Sequence, residues 1–340
     1  MSQTVLLTGV SGYIGLHIAQ QLLNAGFCVR GSVRSKNKEK EVRETLAAAD
    51  VDISQFSIVE LNLTHDDGWD EAVKGCDYVM HVASPFVIAN PKSEDDMIIP
   101  AVEGTLRALR SAKKAGVERV VLTSSILAMM GSMKTGIFGP KDWTDINAAN
   151  ISTYAKSKTL AEKAAWDFIE SQAGADKMEM VSMHPGGVFG PPLGNVITGQ
   201  SMDMLDQMLR GKMPLLPSFV FPLVDVRDVA TLHVQAMITP DVVGKRIVAS
   251  PSKGSSFVEV AQILKENGYK GPSTRVAPDF LLRFMSLFDR EAQGMLGLLG
   301  MDLHADNAQT RTLFNWTPIP LKDSVLDSAA AVKAITHLDG

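Results

Sequence analysis

Tyr154 and Lys158 are the pair in this 340-residue chain whose types and spacing speak first of chemistry. They stand four apart in a helical pattern over 153–173 that Ser152 is placed to cap, so they share one helix face. A nearby ammonium favours the ionised form of a phenol. A tyrosine tuned that way can give its proton to a carbonyl oxygen as hydride reaches the carbon. Of the four tyrosines, only Tyr154 has lysine at that spacing. In isolation a surface Tyr–Lys pair would look the same, so the other parts of a hydride-transfer site must decide.

Two such parts stand upstream. The run Val121-Leu122-Thr123-Ser124-Ser125 reads as a buried strand ending in hydroxyls, and strand ends of open parallel sheets face the ligand crevice. A hydroxyl there can hold a substrate oxygen as negative charge develops, although turn chemistry alone also explains either serine. The second part is Thr8-Gly9-Val10-Ser11-Gly12-Tyr13-Ile14-Gly15, set between the apolar run 4–7 and a helical pattern over 16–25. Gly9 permits a tight turn, Gly12 lets backbone N–H groups approach a pyrophosphate, and Gly15 lets helix pack on strand. The helix start then offers unpaired N–H donors and a positive dipole end to phosphates. The next strand ends in Arg34, where an acidic residue would bind the ribose 2′-hydroxyl of NAD; arginine suits the 2′-phosphate of NADP.

The elements that must position these residues are legible as an alternation. Strands are expected at 3–8, 27–33, 56–60, 77–82, 118–124 and 178–183. Helices are expected at 13–25, 37–49, 67–74, 94–115 and 153–173. This pattern implies an α/β protein, a doubly wound parallel sheet of βαβ units. After residue 185 a Gly/Pro-rich loop changes the texture, and helices follow at 200–210, 226–238, 256–267, 279–298 and 322–336, with strands at 219–224 and 245–249. We expect a dinucleotide-binding domain over 1–184, with returns to the sheet near 219–249, and a smaller, mostly helical substrate lobe over 185–340.

Composition narrows the partners. Hydrophobic residues make up 45% and the net charge is −5, which suits a large packed core and argues against nucleic acid or an anionic membrane as partner. Cys28 and Cys76 form no Cys-x-x-Cys pair, and no histidine spacing suggests a metal site. Apolar runs are too short to span a membrane, and a first strand at residue 3 or 4 leaves no room for a signal peptide. A reducing cytosol is the expected location.

Taken together, Thr-Gly-x-x-Gly-x-x-Gly, Thr-Ser-Ser, and Tyr-x-x-x-Lys followed by Ala161-Glu162 resemble the extended short-chain dehydrogenases/reductases, in their dihydroflavonol reductase-like branch. The likeness continues through His184-Pro185-Gly186-Gly187-Val188-Phe189-Gly190-Pro191 and Asp225-Val226-Arg227-Asp228 to Trp316-Thr317-Pro318. It implies NADPH-dependent reduction of an aldehyde or ketone. By carry-over Ser125 is the catalytic serine, with Ser124 the second choice, Tyr154 the acid/base and Lys158 its partner. Cofactor contacts are implied for Thr8, Gly9, Gly12, Tyr13, Ile14, Gly15, Arg34, Asn62, Leu63, Val82, Ala83, Ser84, Thr123, Tyr154, Lys158, Pro185, Gly186 and Val188. A further phosphate-binding lysine is implied after Arg34: Lys40 is the candidate, with Lys36 and Lys38 left open. Asn62 stands where the family has aspartate and would accept from the adenine amine. Phe86, Ser125 and Met129 are the candidate substrate contacts, and Phe219 and Phe221 are expected near the pocket. Asp225 to Asp228 read as a structural helix start. The helices at 94–115 and 153–173 pair two copies in some members, so a homodimer is one expectation.

Two other readings share much of this. A nucleotide-sugar epimerase or dehydratase has the fold and the Tyr/Lys pair but usually retains NAD, against which Arg34 argues. A non-catalytic NADP sensor usually lacks the tyrosine or the lysine, and both are intact here.

Overall fold

The structure is a computed structural model that describes residues 2–85, 91–149, 151–174, 177–194, 197 and 199–337. The first half runs β1 (Thr4–Thr8), α1 (Tyr13–Asn24), β2 (Cys28–Val33), α2 (Glu39–Ala48), β3 (Phe56–Glu60), α3 (Trp69–Val73), β4 (Tyr78–His81), α4 (Asp95–Lys114), β5 (Arg119–Thr123), α5 (Leu127–Met130), β6 (Thr135–Phe138), α6 (Thr153–Glu170) and β7 (Glu179–Pro185). The second runs β8 (Gly187–Phe189), α7 (Gln200–Leu209), β9 (Val220–Phe221), β10 (Leu223–Asp225), α8 (Val226–Ile238), β11 (Arg246–Ala249), β12 (Ser255–Ser256), α9 (Phe257–Glu266), α10 (Asp279–Met285), α11 (Arg290–Met295), β13 (Asp302–Ala305), α12 (Ala308–Phe314) and α13 (Leu321–Thr336).

Seven strands form one parallel sheet in the order β11-β7-β5-β4-β1-β2-β3. The order reverses between β1 and β4, so the crevice outside their carboxyl ends is the topological switch point. Alternation along each strand divides the core into two layers. Val5, Leu7, Met80 and Val121 pack under α1, α2 and α8. Leu6, Val79, Val120 and Leu122 face the other way, under α3, α4 and α6. Burial on both faces explains the near-continuous apolar strands seen in the sequence.

A separate apolar cluster lies beyond the sheet. Met129, Met130, Phe138, Met202, Leu205, Met208, Phe219 and Phe257 pack with α13 residues Val325 and Ala329. It is framed by a four-stranded sheet, β12-β9-β13-β6, and by a β8–β10 pair. After residue 185 the chain returns to the main sheet as β11, while α8 packs on α1 and β5.

Two expectations change. The helical pattern at 279–298 is broken: α10 ends at Met285, and the Asp289 carboxylate accepts from the Ala292 N–H to start α11 afresh. That side-chain cap offers the backbone a helix start where periodicity suggests continuity. None of α10 is buried, and Phe280, Phe284 and Phe288 are exposed. The strand expected at 219–224 is two short strands, β9 and β10, in different sheets. Among the described residues no helix is long and apolar enough to cross a membrane.

Candidate active site

The carboxyl end of β5 and the first turns of α6 meet at one place. Ser152 caps α6, its side chain accepting from the Ala155 N–H at 3.2 Å. From that start Tyr154 and Lys158 point to the end of β5. The Tyr154 hydroxyl is hydrogen-bonded to the Ser125 side chain. The Lys158 ammonium donates to the Thr123 carbonyl at 3.1 Å and lies 6.0 Å from the Tyr154 ring centre. Ser125 Oγ also accepts from the Leu127 N–H at 3.2 Å, which fixes its rotamer at the start of α5. Ser125 and Lys158 are both buried.

Ser124 is turned elsewhere: its hydroxyl donates to Glu162 Oε2 at 2.7 Å. The structure therefore brings Ser125, not Ser124, to Tyr154. Thr123 is turned away as well, its hydroxyl meeting His233 Nε2 at 2.8 Å.

Charge states follow from the same packing. Burial pushes the Tyr154 phenol above its ordinary range, with the Ser125 hydrogen bond pulling the other way. The net direction is opposite to the lowering expected from a nearby ammonium, because desolvation disfavours the phenolate. Burial brings Lys158 down to about 8, opposed by the charge of Glu162.

The other half of the crevice is the glycine turn. Gly9 has φ +70°, and a Cβ there would meet the Ala83 Cα at 3.0 Å. A Cβ on Gly15 would run into the Gly9 carbonyl oxygen. Helix α1 has Gly12 as its N-cap, no side-chain cap and no acidic residue in its first turn. Its first N–H groups and dipole are thus unneutralised, which fits a pyrophosphate. Thr8 Oγ1 accepts from the N–H groups of Val82 and Ala83, both at 3.0 Å, and so donates to His81 Nδ1 at 3.0 Å. Thr8 thereby ties the glycine turn to the loop at 82–84, and those two N–H groups are engaged within the protein. Ser84 is half-buried next to them.

Arg34 is exposed just past β2 and has no hydrogen bond or ion pair among the described residues. The neighbouring lysines differ. Lys38 pairs with Glu41 at 2.7 Å, and Lys40 faces Glu44 at 3.7 Å on α2 with its side chain 84% exposed. Without cofactor, Lys40 is thus a solvated i,i+4 partner of Glu44. Asn62 Oδ1 accepts from Thr64 N and Oγ1 at 3.0 and 2.9 Å, so the oxygen expected to meet adenine closes an Asx turn. Leu63 packs against Gly104 and gives its carbonyl to Arg107 at 2.8 Å.

Pro185 ends β7, and its carbonyl accepts from Ile126 N at 3.2 Å, which sets the proline beside the Ser125 turn. Gly186 lies against the Pro222 carbonyl with no room for a Cβ, and Val188 is half-buried in β8. The Tyr13 side chain, a candidate cofactor contact, instead crosses to the second half: its hydroxyl donates to the Gly190 carbonyl. Ile14 packs on the core under α1.

Of the candidate substrate contacts, Met129 is 0% exposed within the second apolar cluster, so it fills core and does not line an open wall. Phe86 lies outside the described residues. Phe221 is half-buried, and its ring lies against Gly187, next to Val188; it meets Phe219 and Phe257 at 5.6 and 6.1 Å between ring centres. The Asp225 start of α8 is structural as expected. Asp225 accepts from the Arg227 N–H and guanidinium, while Asp228 accepts from Trp316 Nε1 and the Ile319 N–H at 3.0 and 2.8 Å.

With this geometry in place, residues 5–249 match the model of the NAD dependent epimerase/dehydratase family. The chain belongs to this family. It is 34% identical to cinnamoyl-CoA reductase CAD2 of Medicago truncatula, over 78% of this chain and 81% of that one. It is 31% identical to the NADPH-dependent methylglyoxal reductase GRE2 of Saccharomyces cerevisiae, over 78% and 82%. The crystal structure of the yeast methylglyoxal/isovaleraldehyde reductase Gre2 with NADPH superimposes with a TM-score of 0.81 at 27% identity, covering 98% of this chain and 99% of that one.

One residue of this epimerase/dehydratase chain enters the sequence analysis only as part of a motif, with no role assigned. Glu162 is buried and gathers Ser124, Ser182 Oγ at 3.0 Å, His184 Nε2 at 2.8 Å, Arg246 Nε at 2.7 Å and Trp166 Nε1 at 3.2 Å. The signal was present: Glu162 lies one turn beyond Lys158, between Ala161 and Ala165 on the inward face of α6. Burial pushes its carboxyl up, but His184 and Arg246 together hold it well below the ordinary range.

Proposed function

We propose that this protein reduces an aldehyde or ketone to an alcohol with NADPH. The observation that carries the reading is the convergence of Ser125, Tyr154 and Lys158 at the switch-point crevice, across from an uncapped glycine-turn helix. The relatives named as NADPH-dependent and cinnamoyl-CoA reductases support it. Bound NADPH supplies the hydride; the chain supplies position and charge. Ser125 donates to the carbonyl oxygen of the substrate as negative charge develops there. Tyr154, already aligned by Ser125, releases its phenolic proton to that oxygen. Lys158, held by the Thr123 carbonyl, keeps a positive charge behind the tyrosine as the phenolate forms and meets the cofactor ribose.

Arg34 receives the 2′-phosphate, joined by Lys36, since Lys38 and Lys40 face their own glutamates. Pro185, Gly186 and Val188 form the nicotinamide side. The substrate is a small to medium, mainly apolar carbonyl compound, received between Ser125 and the lobe made by β8, β9 and α7, where Phe221 offers an apolar wall. The division at 184/185 is a functional one, with the second part giving specificity. Two copies pair through α4 and α6, which sedimentation would show, and the two free thiols fit a cytosolic location, which fractionation would show.

The deciding experiment follows NADPH oxidation against aliphatic, aromatic and 1,2-dicarbonyl compounds, beside UDP- and dTDP-sugars. Reduction of branched aliphatic or aromatic aldehydes is expected. Conversion of a nucleotide sugar without carbonyl reduction would replace this reading with an epimerase.

A further inference from the structure

The sheet interior beneath the catalytic residues holds more charge than the chemistry above requires. Glu162 and Arg246 are both buried, 84 positions apart in sequence, and the guanidinium reaches the carboxylate with Nε at 2.7 Å and Nη2 at 3.2 Å. Arg246 is itself fixed from three sides. It donates to the Pro140 carbonyl at 3.0 Å and the Asp142 carbonyl at 2.5 Å, and stacks on the Trp143 ring with its Cζ 3.7 Å from the ring centre. His184 presents one nitrogen to Glu162 and the other to the Ile247 carbonyl at 3.3 Å. So much fixation goes to a single carboxylate. Removing two charges from water is costly, and fold stability alone is served as well by apolar packing.

What the carboxylate adds is its place. Lys158 and Glu162 are one turn apart on α6 and line the same narrow internal void, with Ser124, Thr123, His81 and Thr105. Two charges so placed, away from bulk water, are screened from one another less than a surface pair is. Among the described residues, the groups facing Lys158 are Tyr154 and Glu162 from α6, His81 from β4, and the Thr123 carbonyl from β5. His81 is held neutral, its titration pushed down to about 3 by burial and then by Lys158. His184 on β7 and Arg246 on β11 reach Lys158 only through Glu162. Glu162 is therefore the anion that faces the catalytic ammonium.

We infer that Glu162 is a positioning residue for the reductase reaction: its carboxylate, anchored by Arg246 and His184, keeps the Lys158 ammonium charged and aimed at Tyr154 through the working pH range. This rests on the carbonyl-reductase reading for its role in turnover, but not for its effect on Lys158.

The consequence has a sign. Lys158 acts as a cation, and burial already brings its titration down to about 8. Loss of the carboxylate lowers it further, so the alkaline limb of kcat/KM moves to lower pH. An opposite charge nearby is worth roughly 1–3 pH units, so we expect the limb in Glu162→Gln to fall by about one unit or more. Ser182→Ala removes a hydrogen bond from the same carboxylate but leaves its charge, so its limb should stay with the wild type.

The test measures kcat/KM and NADPH affinity from pH 6 to 10 for the wild type, Glu162→Gln, Ser182→Ala and the double variant Glu162→Gln/Arg246→Met. The double variant removes both buried charges, so it serves if the single one does not fold. A limb displaced in the Gln variants and not in Ser182→Ala supports the inference. Wild-type limbs in a folded Gln variant, or an equal displacement in Ser182→Ala, would overturn it. The affinity profile needs no turnover. Its displacement without any carbonyl reduction by the wild type would support the inference while overturning the reductase reading.

Discussion

At the scale of the residue, the site turns on a hydroxyl and a guanidinium. Tyr154→Phe keeps the ring between Ser125 and Lys158 but removes the proton, and we expect turnover to fall by roughly 10²–10⁴-fold with NADPH affinity nearly unchanged. Steady-state kinetics beside fluorescence titration of NADPH checks both halves. Arg34 stands exposed, without a partner among the described residues. Its removal as Arg34→Ala should raise KM for NADPH by about 10–100-fold and leave NADH little affected, because only NADPH loses the charge-assisted hydrogen bonds. Parallel assays with the two cofactors read this directly. Residue type and spacing were enough to single out Tyr154, Lys158 and Arg34, because such signals are local, along a helix or at a strand end; the roles proposed for them await the assays above. Type and spacing did not suffice for the facing of Met129. A methionine after the catalytic turn can face a pocket or a core, and the facing is decided by α7, α9 and α13, far away in sequence.

At the scale of the element, the strands and helices of the parallel sheet were legible to within three residues, since β-branched runs and amphipathic helices are local signals. The small sheets were not. Strands β6 and β13 each have four residues and exist because they pair with each other across 167 positions, Thr135 with Asp302. Helix ends depend on equally distant partners. The exposed carbonyls at the end of α8, those of Ala236, Met237 and Thr239, are all taken up by the buried Arg119 at the start of β5, at 2.7–3.0 Å. Glu179 on β7 pairs with the same guanidinium at 2.6 Å. We expect Arg119→Met to destabilise the fold by about 2–4 kcal/mol, since the carbonyls and the carboxylate lose their donor together. Urea unfolding followed by circular dichroism measures it. The active-site constants should hold in the variant that remains folded, because Arg119 lies at the opposite end of β5 from Ser125.

At the scale of the whole molecule, three histidines are enclosed in neutral form: His17, His81 and His233, brought by burial to about 4, 3 and 4. An unfolded histidine titrates at about 6.5. As pH falls below that value the unfolded chain gains protons that the folded chain refuses until about pH 4. Stability is therefore complete above the unfolded value and is lost on acidification. The slope is about 1.4 kcal/mol per pH unit per histidine, or up to about 4 for the three together. Urea midpoints should be flat from pH 7 to 8 and fall steeply from pH 6 to 4.5; a flat profile across that lower window would show the histidines to be accessible.

The ties between distant parts of the chain also set a timetable. Ser125, Tyr154 and Lys158 all precede residue 160, yet the cation that holds Glu162 beneath them arrives only with Arg246, on the strand that closes the sheet. Domains fold as units while the chain emerges from the ribosome. A nascent chain halted after α8 already carries every group that would touch substrate, but it encloses a carboxylate with no guanidinium to meet it and leaves β7 as an open sheet edge. Translation thus delivers the chemistry early and its support late, and a prematurely terminated product would display the whole signature of the enzyme without being able to assemble it.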